Sequence, residues 1–81
     1  MSAPDGKWDR EIDLKGEVCP FTFVKTKLAL EEMHAGEVLR VILDYPESVD
    51  SVPRSAQSEG HDVLAVEQVG EGQWAVKIRK A

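Results

Sequence analysis

Apolar residues in this chain switch between a strand period and a helix period, and each switch falls at a glycine or proline. "REIDL" (10–14) alternates polar and apolar side chains, as a short strand does. Residues 20–34, "PFTFVKTKLALEEMH", are rich in helix formers and carry apolar residues at helical spacing, and Gly36 supplies a stop. "EVLRVILD" (37–44) returns to alternation, with Leu39, Val41 and Leu43 on one face, and Pro46 breaks it. The next segment contains Pro53. With Asp50 as N-cap, Pro53 falls in the first helical turn, where its missing N–H costs nothing. That helix runs from about Ser51 to Glu59 and stops at Gly60. "DVLAVEQV" (62–69) and "QWAVKIRK" (73–80) are strands joined by the turn "GEG", and Trp74, Val76 and Ile78 share one face.

The order β-α-β-α-β-β predicts an α/β (α+β) two-layer sandwich: a four-stranded mixed sheet with two helices on one face. Short strand–helix connections leave little loop for a deep pocket, so any chemistry belongs at an element end. At 81 residues the chain is one domain, read as residues 9–81 behind an N-terminal tail at 1–8. Hydrophobic residues at 42% and charged residues at 31% argue against disorder.

Several function classes find no support in the residues. No stretch approaches the roughly 20 apolar residues that span a bilayer. "MSAPDGKWDR" has no apolar core of a signal peptide, so the expected address is the cytoplasm. The formal net charge is −5 and the basic residues are scattered, which gives nucleic-acid binding no electrostatic source. There is no glycine-rich phosphate loop. Cys19, His34 and His61 lack metal-ligand spacing, so no metal or cofactor is expected, and both histidines read as solvated surface residues. A monomer is expected.

What stands out is "GEVCPFTF" (16–23), which holds the chain's one cysteine. The residue before a proline is pushed towards extended geometry, and proline itself favours the first helical position. Cys19 is therefore expected to cap the first helix, with its sulfur where the free first-turn N–H groups converge. That position favours an anion, so the thiol should ionise below the free value of about 8.5. A lone cysteine can equally be a small buried hydrophobe with no chemistry. A Cys–His dyad is disfavoured, because His34 lies more than about three helical turns from Cys19 and His61 follows the second helix.

"DLKGEVCP" (13–20), "AGEVL" (35–39), "DYPES" (44–48), "VPR" (52–54), "EGHDVL" (59–64) and "IRK" (78–80) occur in this order. In these segments the chain resembles the TusA/SirA-type sulfur-carrier family from about Asp9 to Lys80. The resemblance implies the same two-layer fold, and sulfane sulfur carried as a persulfide on the cysteine of a Cys-Pro-x-Pro motif, here Cys19. No cofactor is implied beyond that covalently held sulfur. The implied partners are a protein sulfur donor, such as a cysteine desulfurase or rhodanese-like protein, and a protein acceptor. This chain departs from the motif by reading Cys19-Pro20-Phe21-Thr22. At position N3, Thr22 supplies a backbone N–H and a hydroxyl that proline lacks, with a less rigid first turn.

Phe21, Val24 and Leu28 form an apolar stripe separate from the broader Phe23–Leu30–Met33 face. The plainer expectation is that one stripe packs on the sheet and the other on the second helix; the sharper one is a docking patch beside the thiol. Lys15, Lys25 and Arg54 are candidates for contacts to anionic sulfur donors or partners, or simply solvated charges. Asp44 corresponds to the acidic residue after the family's second strand, and reads first as a turn or cap. Two functions stay open beside the carrier: a non-catalytic interaction or regulatory module, and a redox-sensing thiol.

Overall fold

The computed structural model describes residues 8–17 and 21–81. Strand β1 (Arg10–Asp13) is followed by helix α1 (Phe21–Glu31), β2 (Val38–Leu43), α2 (Pro46–Ser58), β3 (Asp62–Gly70) and β4 (Gln73–Arg79). The sheet order is β1-β2-β4-β3. β1 runs parallel to β2, and the two other pairings are antiparallel, so the sheet is mixed, as the order of elements predicts.

The period-2 pattern of the central strands decides which face is covered. Leu39, Val41 and Leu43 of β2 stand across from Ile78, Val76 and Trp74 of β4. Directly opposed residues of an antiparallel pair share a face. Leu39, Val41, Leu43, Val76 and Ile78 are wholly buried in one cluster with Leu30 and Met33 near the end of α1 and Val52 and Ala56 of α2. Both helices therefore lie on one side, in contact with each other. On the other side Arg40 pairs with Glu11 at 2.8 Å and lies 4.3 Å over the Trp8 ring.

The second helix differs from its expected form. It opens at Pro46, five residues before Ser51, with Tyr45 rather than Asp50 at the N-cap, and Pro53 lies inside it. Proline at N1 has its φ preset and lacks only an N–H that would have no intrahelical partner, and Glu47 complements the dipole. From this start Ser48, Val52 and Ala56 fall on one stripe and are fully buried. That burial outweighs the interior proline, which removes one bond to the carbonyl four residues back. At the far end the His61 N–H reaches Ala56 O and the Gly60 N–H reaches Gln57 O, with Gly60 at φ +96°. This is the Schellman closure that a glycine at C′ permits.

Helix α1 ends at Glu31, short of the expected 34. The Glu32 and Met33 N–H groups turn back to Ala29 and Leu30 carbonyls in a tighter turn, and Lys80 Nζ donates to Leu30 O at 2.7 Å. The β3–β4 hairpin closes as expected, with Gly70 opposite Gln73.

Candidate functional site

The chain approaches Cys19 through a turn held by two carboxylates. Asp13 Oδ1 accepts the Lys15 N–H at 3.0 Å, and this backbone bond, with the Lys15 ammonium nearby, holds the Asp13 carboxyl below its ordinary pKa. Gly16 takes φ +89°, a conformation that favours glycine, and its N–H donates to Asp44 Oδ1 at 3.0 Å. Asp44, just past the end of β2, thus ties down the turn that leads to the cysteine. The Leu14 N–H reaches Ile42 O, continuing the β1–β2 ladder to the same point. Val18, Cys19 and Pro20 lie outside the described residues, and so does the expected N-cap geometry of Cys19.

Where the chain re-enters, α1 turns an unexpected face inward. Thr22 and Thr26 are completely buried, while Phe21, Val24 and Leu28 are 57%, 46% and 55% exposed. The plainer expectation, that the two stripes of α1 pack one on the sheet and one on α2, is therefore corrected for Phe21, Val24 and Leu28, which stay largely exposed. The α1 residues facing inward in the first two turns are hydroxyl-bearing, and each has a partner. The Thr22 and Ser48 hydroxyls lie 3.0 Å apart, joining the first turn of α1 to that of α2. The Thr26 hydroxyl donates to the Thr22 carbonyl at 2.8 Å. Ser48 is the site residue that the sequence does not announce, since its partner lies 26 residues away.

Leu28 also lines a groove of about 240 Å³ between α1 and the edge strand β1, along with Ile12 and Leu14. Arg10 and Glu32 contribute to the same groove and pair across it at 2.9 Å.

The three candidate cations are not equivalent. Lys25 binds Glu17 at 2.8 Å, and Lys15 lies 3.5 Å from Asp13, so both flank the Cys19 segment within ion pairs. Arg54 pairs with Asp50 on an exposed part of α2, about two turns beyond Pro46. The histidines sit at the other end of α1. The His34 N–H is bound by Glu37, and His61 Nδ1 accepts the Ala81 N–H beside the Gly36–Lys80 contact. Neither is placed to serve the first turn of α1. Among the described residues no group of three His, Cys, Asp or Glu could hold a metal ion, and no helix is long and apolar enough to cross a membrane.

Comparison with known proteins gives these features a context. The sequence model of the family described as sulfurtransferase TusA matches residues 10–80. A protein of Archaeoglobus fulgidus named "Putative sulfur carrier protein" is 59% identical over 85% of this chain and 78% of its own length. The Escherichia coli protein TsuB, named in the same terms, is 32% identical over 89% of this chain and 96% of its own. The crystal structure of a SirA-like protein from Desulfitobacterium hafniense superposes with a TM-score of 0.79 at 29% identity, covering 88% of this chain and 96% of that one.

Proposed function

The chain belongs to the sulfurtransferase TusA family, and from that premise we propose that it is a cytoplasmic sulfur carrier that holds sulfane sulfur as a persulfide on Cys19. In loading, the Cys19 thiolate attacks the outer sulfur of a donor persulfide. One S–S bond forms, the donor's S–S bond breaks, and the donor leaves as a thiolate. Unloading repeats the exchange, with an acceptor thiolate attacking the outer sulfur on Cys19. Neither step needs an external oxidant, reductant or cofactor. A helix N-terminus favours the anion in both steps, so no separate base is required.

The observation that carries this reading is the exposed stripe of Phe21, Val24 and Leu28, which starts two residues after Cys19. A carrier needs a surface beside its thiol on which donor and acceptor proteins can dock in turn, and an exposed apolar stripe supplies one. Lys15 and Lys25 lie at the same end, each paired with a carboxylate, Asp13 and Glu17.

Incubating the protein with a sulfur donor and measuring its intact mass tests the proposal. A gain of one sulfur atom, removed by reductant and absent from Cys19→Ser, is expected. A protein that gains no sulfur, or a Cys19→Ser variant that still transfers it, would leave the fold as an interaction module.

A further inference from the structure

We propose that the outer edge of β1 and the groove beside it form a strand-addition site. Its occupant is an extended segment of another protein in which basic and aliphatic side chains alternate. The inference stands whether or not Cys19 carries sulfur, since no part of it acts through that residue.

The two edges of the sheet are built differently. β3, at one edge, shifts register against β4 between Val63 and Ala65 and again between Gln68 and Gly70. Such irregularities bend an edge strand and spoil it as a template for a further strand. β1, at the other edge, keeps an unbroken register with β2 from Arg10 to Asp13. The Leu14 N–H continues that ladder to Ile42 O. Backbone groups alternate sides along a parallel ladder, so Ile12 turns its N–H and C=O to β2 as Leu14 does. Glu11 and Asp13 turn theirs outward. Among the described residues no strand pairs with that outer side. A row of backbone donors and acceptors selects an extended chain as its ligand.

Side chains define what that chain carries. Ile12 and Leu14 line the groove with Leu28 and Ala29 of α1, and the Arg10–Glu32 pair stands in it at 2.9 Å. Its volume of about 240 Å³ is smaller than the roughly 300–1,000 Å³ of small-molecule sites. It suits instead an aliphatic side chain or two from a strand laid along β1. On the opposite face Glu11 and Asp13 present carboxylates whose side chains are 39% and 58% exposed. Each meets one cation already, Arg40 at 2.8 Å and Lys15 at 3.5 Å. A carboxylate has about four lone-pair sites, so each can accept a second cation from across the edge.

Charge then selects among strands. A second copy added across a two-fold axis, with the two sheets' faces aligned, pairs β1 antiparallel with itself. Residues sharing a face lie opposite each other, so Glu11 meets Glu11 or Asp13, or Asp13 meets Asp13. Every such register sets carboxylate against carboxylate, which is destabilising. A segment reading basic–aliphatic–basic places its cations across from Glu11 and Asp13. Its aliphatic residue then lies across from Ile12, over the groove.

The test follows backbone amides of the isotopically labelled full chain by NMR, with the capped peptide acetyl-Val-Lys-Leu-Lys-Thr-amide as probe. In the free protein the Glu11 and Asp13 amides should exchange rapidly with deuterium. Protection that rises with protein concentration would make a second copy the occupant. Protection independent of concentration would make another part of this chain the occupant, and either result overturns the proposal. Added peptide should shift the amides of β1, Leu28 and Ala29 and slow exchange at Glu11 and Asp13. Methylating the backbone nitrogens of the two peptide lysines removes the donors that face β1 and should weaken binding about tenfold or more. The acidic counterpart acetyl-Val-Glu-Leu-Glu-Thr-amide should be weaker by about as much. Glu11→Gln keeps an acceptor for Arg40 and should weaken the lysine peptide roughly threefold. Undiminished binding of the methylated or the acidic peptide overturns the proposal. So does the absence of any shift at millimolar peptide, or shifts confined to Phe21 and Val24.

Discussion

Asp13 and Asp44 each cap one N–H of the turn before Cys19, and the Asp13 carboxyl is held below its ordinary pKa. The cause is first the Lys15 backbone bond and then the Lys15 charge, both of which favour the ionised form. A carboxyl whose folded pKa lies below its unfolded value stabilises the fold above the unfolded value. That contribution is lost as pH falls through the folded one. The relevant window therefore opens below the ordinary value of 3.8. Asp13→Asn keeps a side-chain oxygen for the Lys15 N–H and removes only the charge. Thermal melts should show the unaltered protein ahead of Asp13→Asn at neutral pH, with the gap closing as the solution is taken below that value. A gap that stays constant into strong acid would mean that the charge is not what matters. Cys19, the residue proposed to carry the sulfur, stands out in the sequence from its neighbours, because a proline directly after it favours a helix opening there. Ser48 is not legible, since nothing near it in the chain indicates that its hydroxyl will meet Thr22.

At the scale of elements, strands were easier to read than helices. Leu39, Val41 and Leu43 alternate cleanly and are all wholly buried, and the "GEG" turn forms the hairpin its composition implies. In α2 two prolines compete for one role. Pro53 invites a late start, but Pro46 wins, because the earlier start puts Ser48, Val52 and Ala56 on one buried stripe. In α1 the difficulty is different. Apolar residues occur on both sides of the helix, so spacing alone does not determine its rotation; the face turned inward carries Ala29, Leu30 and Met33 into the core, with Thr22 and Thr26 on the same stripe. The resulting exposed stripe yields a prediction that separates docking from chemistry. Leu28→Glu alters a side chain 55% exposed, so stability should move by no more than about 0.5 kcal/mol. Loading of Cys19 from inorganic polysulfide should be unchanged, while loading from a donor protein's persulfide should slow, as a lost apolar contact in an interface would cause. Equal rates from the protein donor in both variants would show that partners dock elsewhere.

For the whole molecule, the sheet order puts the load on two strands. β2 and β4 are interior, so their inward side chains are covered by both helices and by strands on either side, while β1 and β3 form the edges. The burial follows that order: Leu39 and its cross-strand partner Ile78 are fully buried, whereas Leu64, Val66 and Val69 of β3 are 47%, 44% and 42% exposed. Ion pairs do not redress the balance. Six of the seven salt bridges among the described residues join side chains that are each at least a third exposed, and such pairs contribute about 0–1 kcal/mol each. Stability thus rests on a small core that joins residues far apart in sequence. A domain of this size has a total of roughly 4–12 kcal/mol by per-residue scaling. Leu39→Ala removes three buried carbons from the centre of that core and should cost about 2–5 kcal/mol, a large share of the whole. Leu64→Ala truncates the same side chain at the edge and should cost under about 1 kcal/mol, because much of that surface is already in water. Urea titrations of the two variants read this as a large fall in midpoint for Leu39→Ala and a small one for Leu64→Ala, with similar slopes. Comparable falls would mean that β3 bears as much of the fold as β2, and that its exposed apolar side chains are covered by something other than solvent.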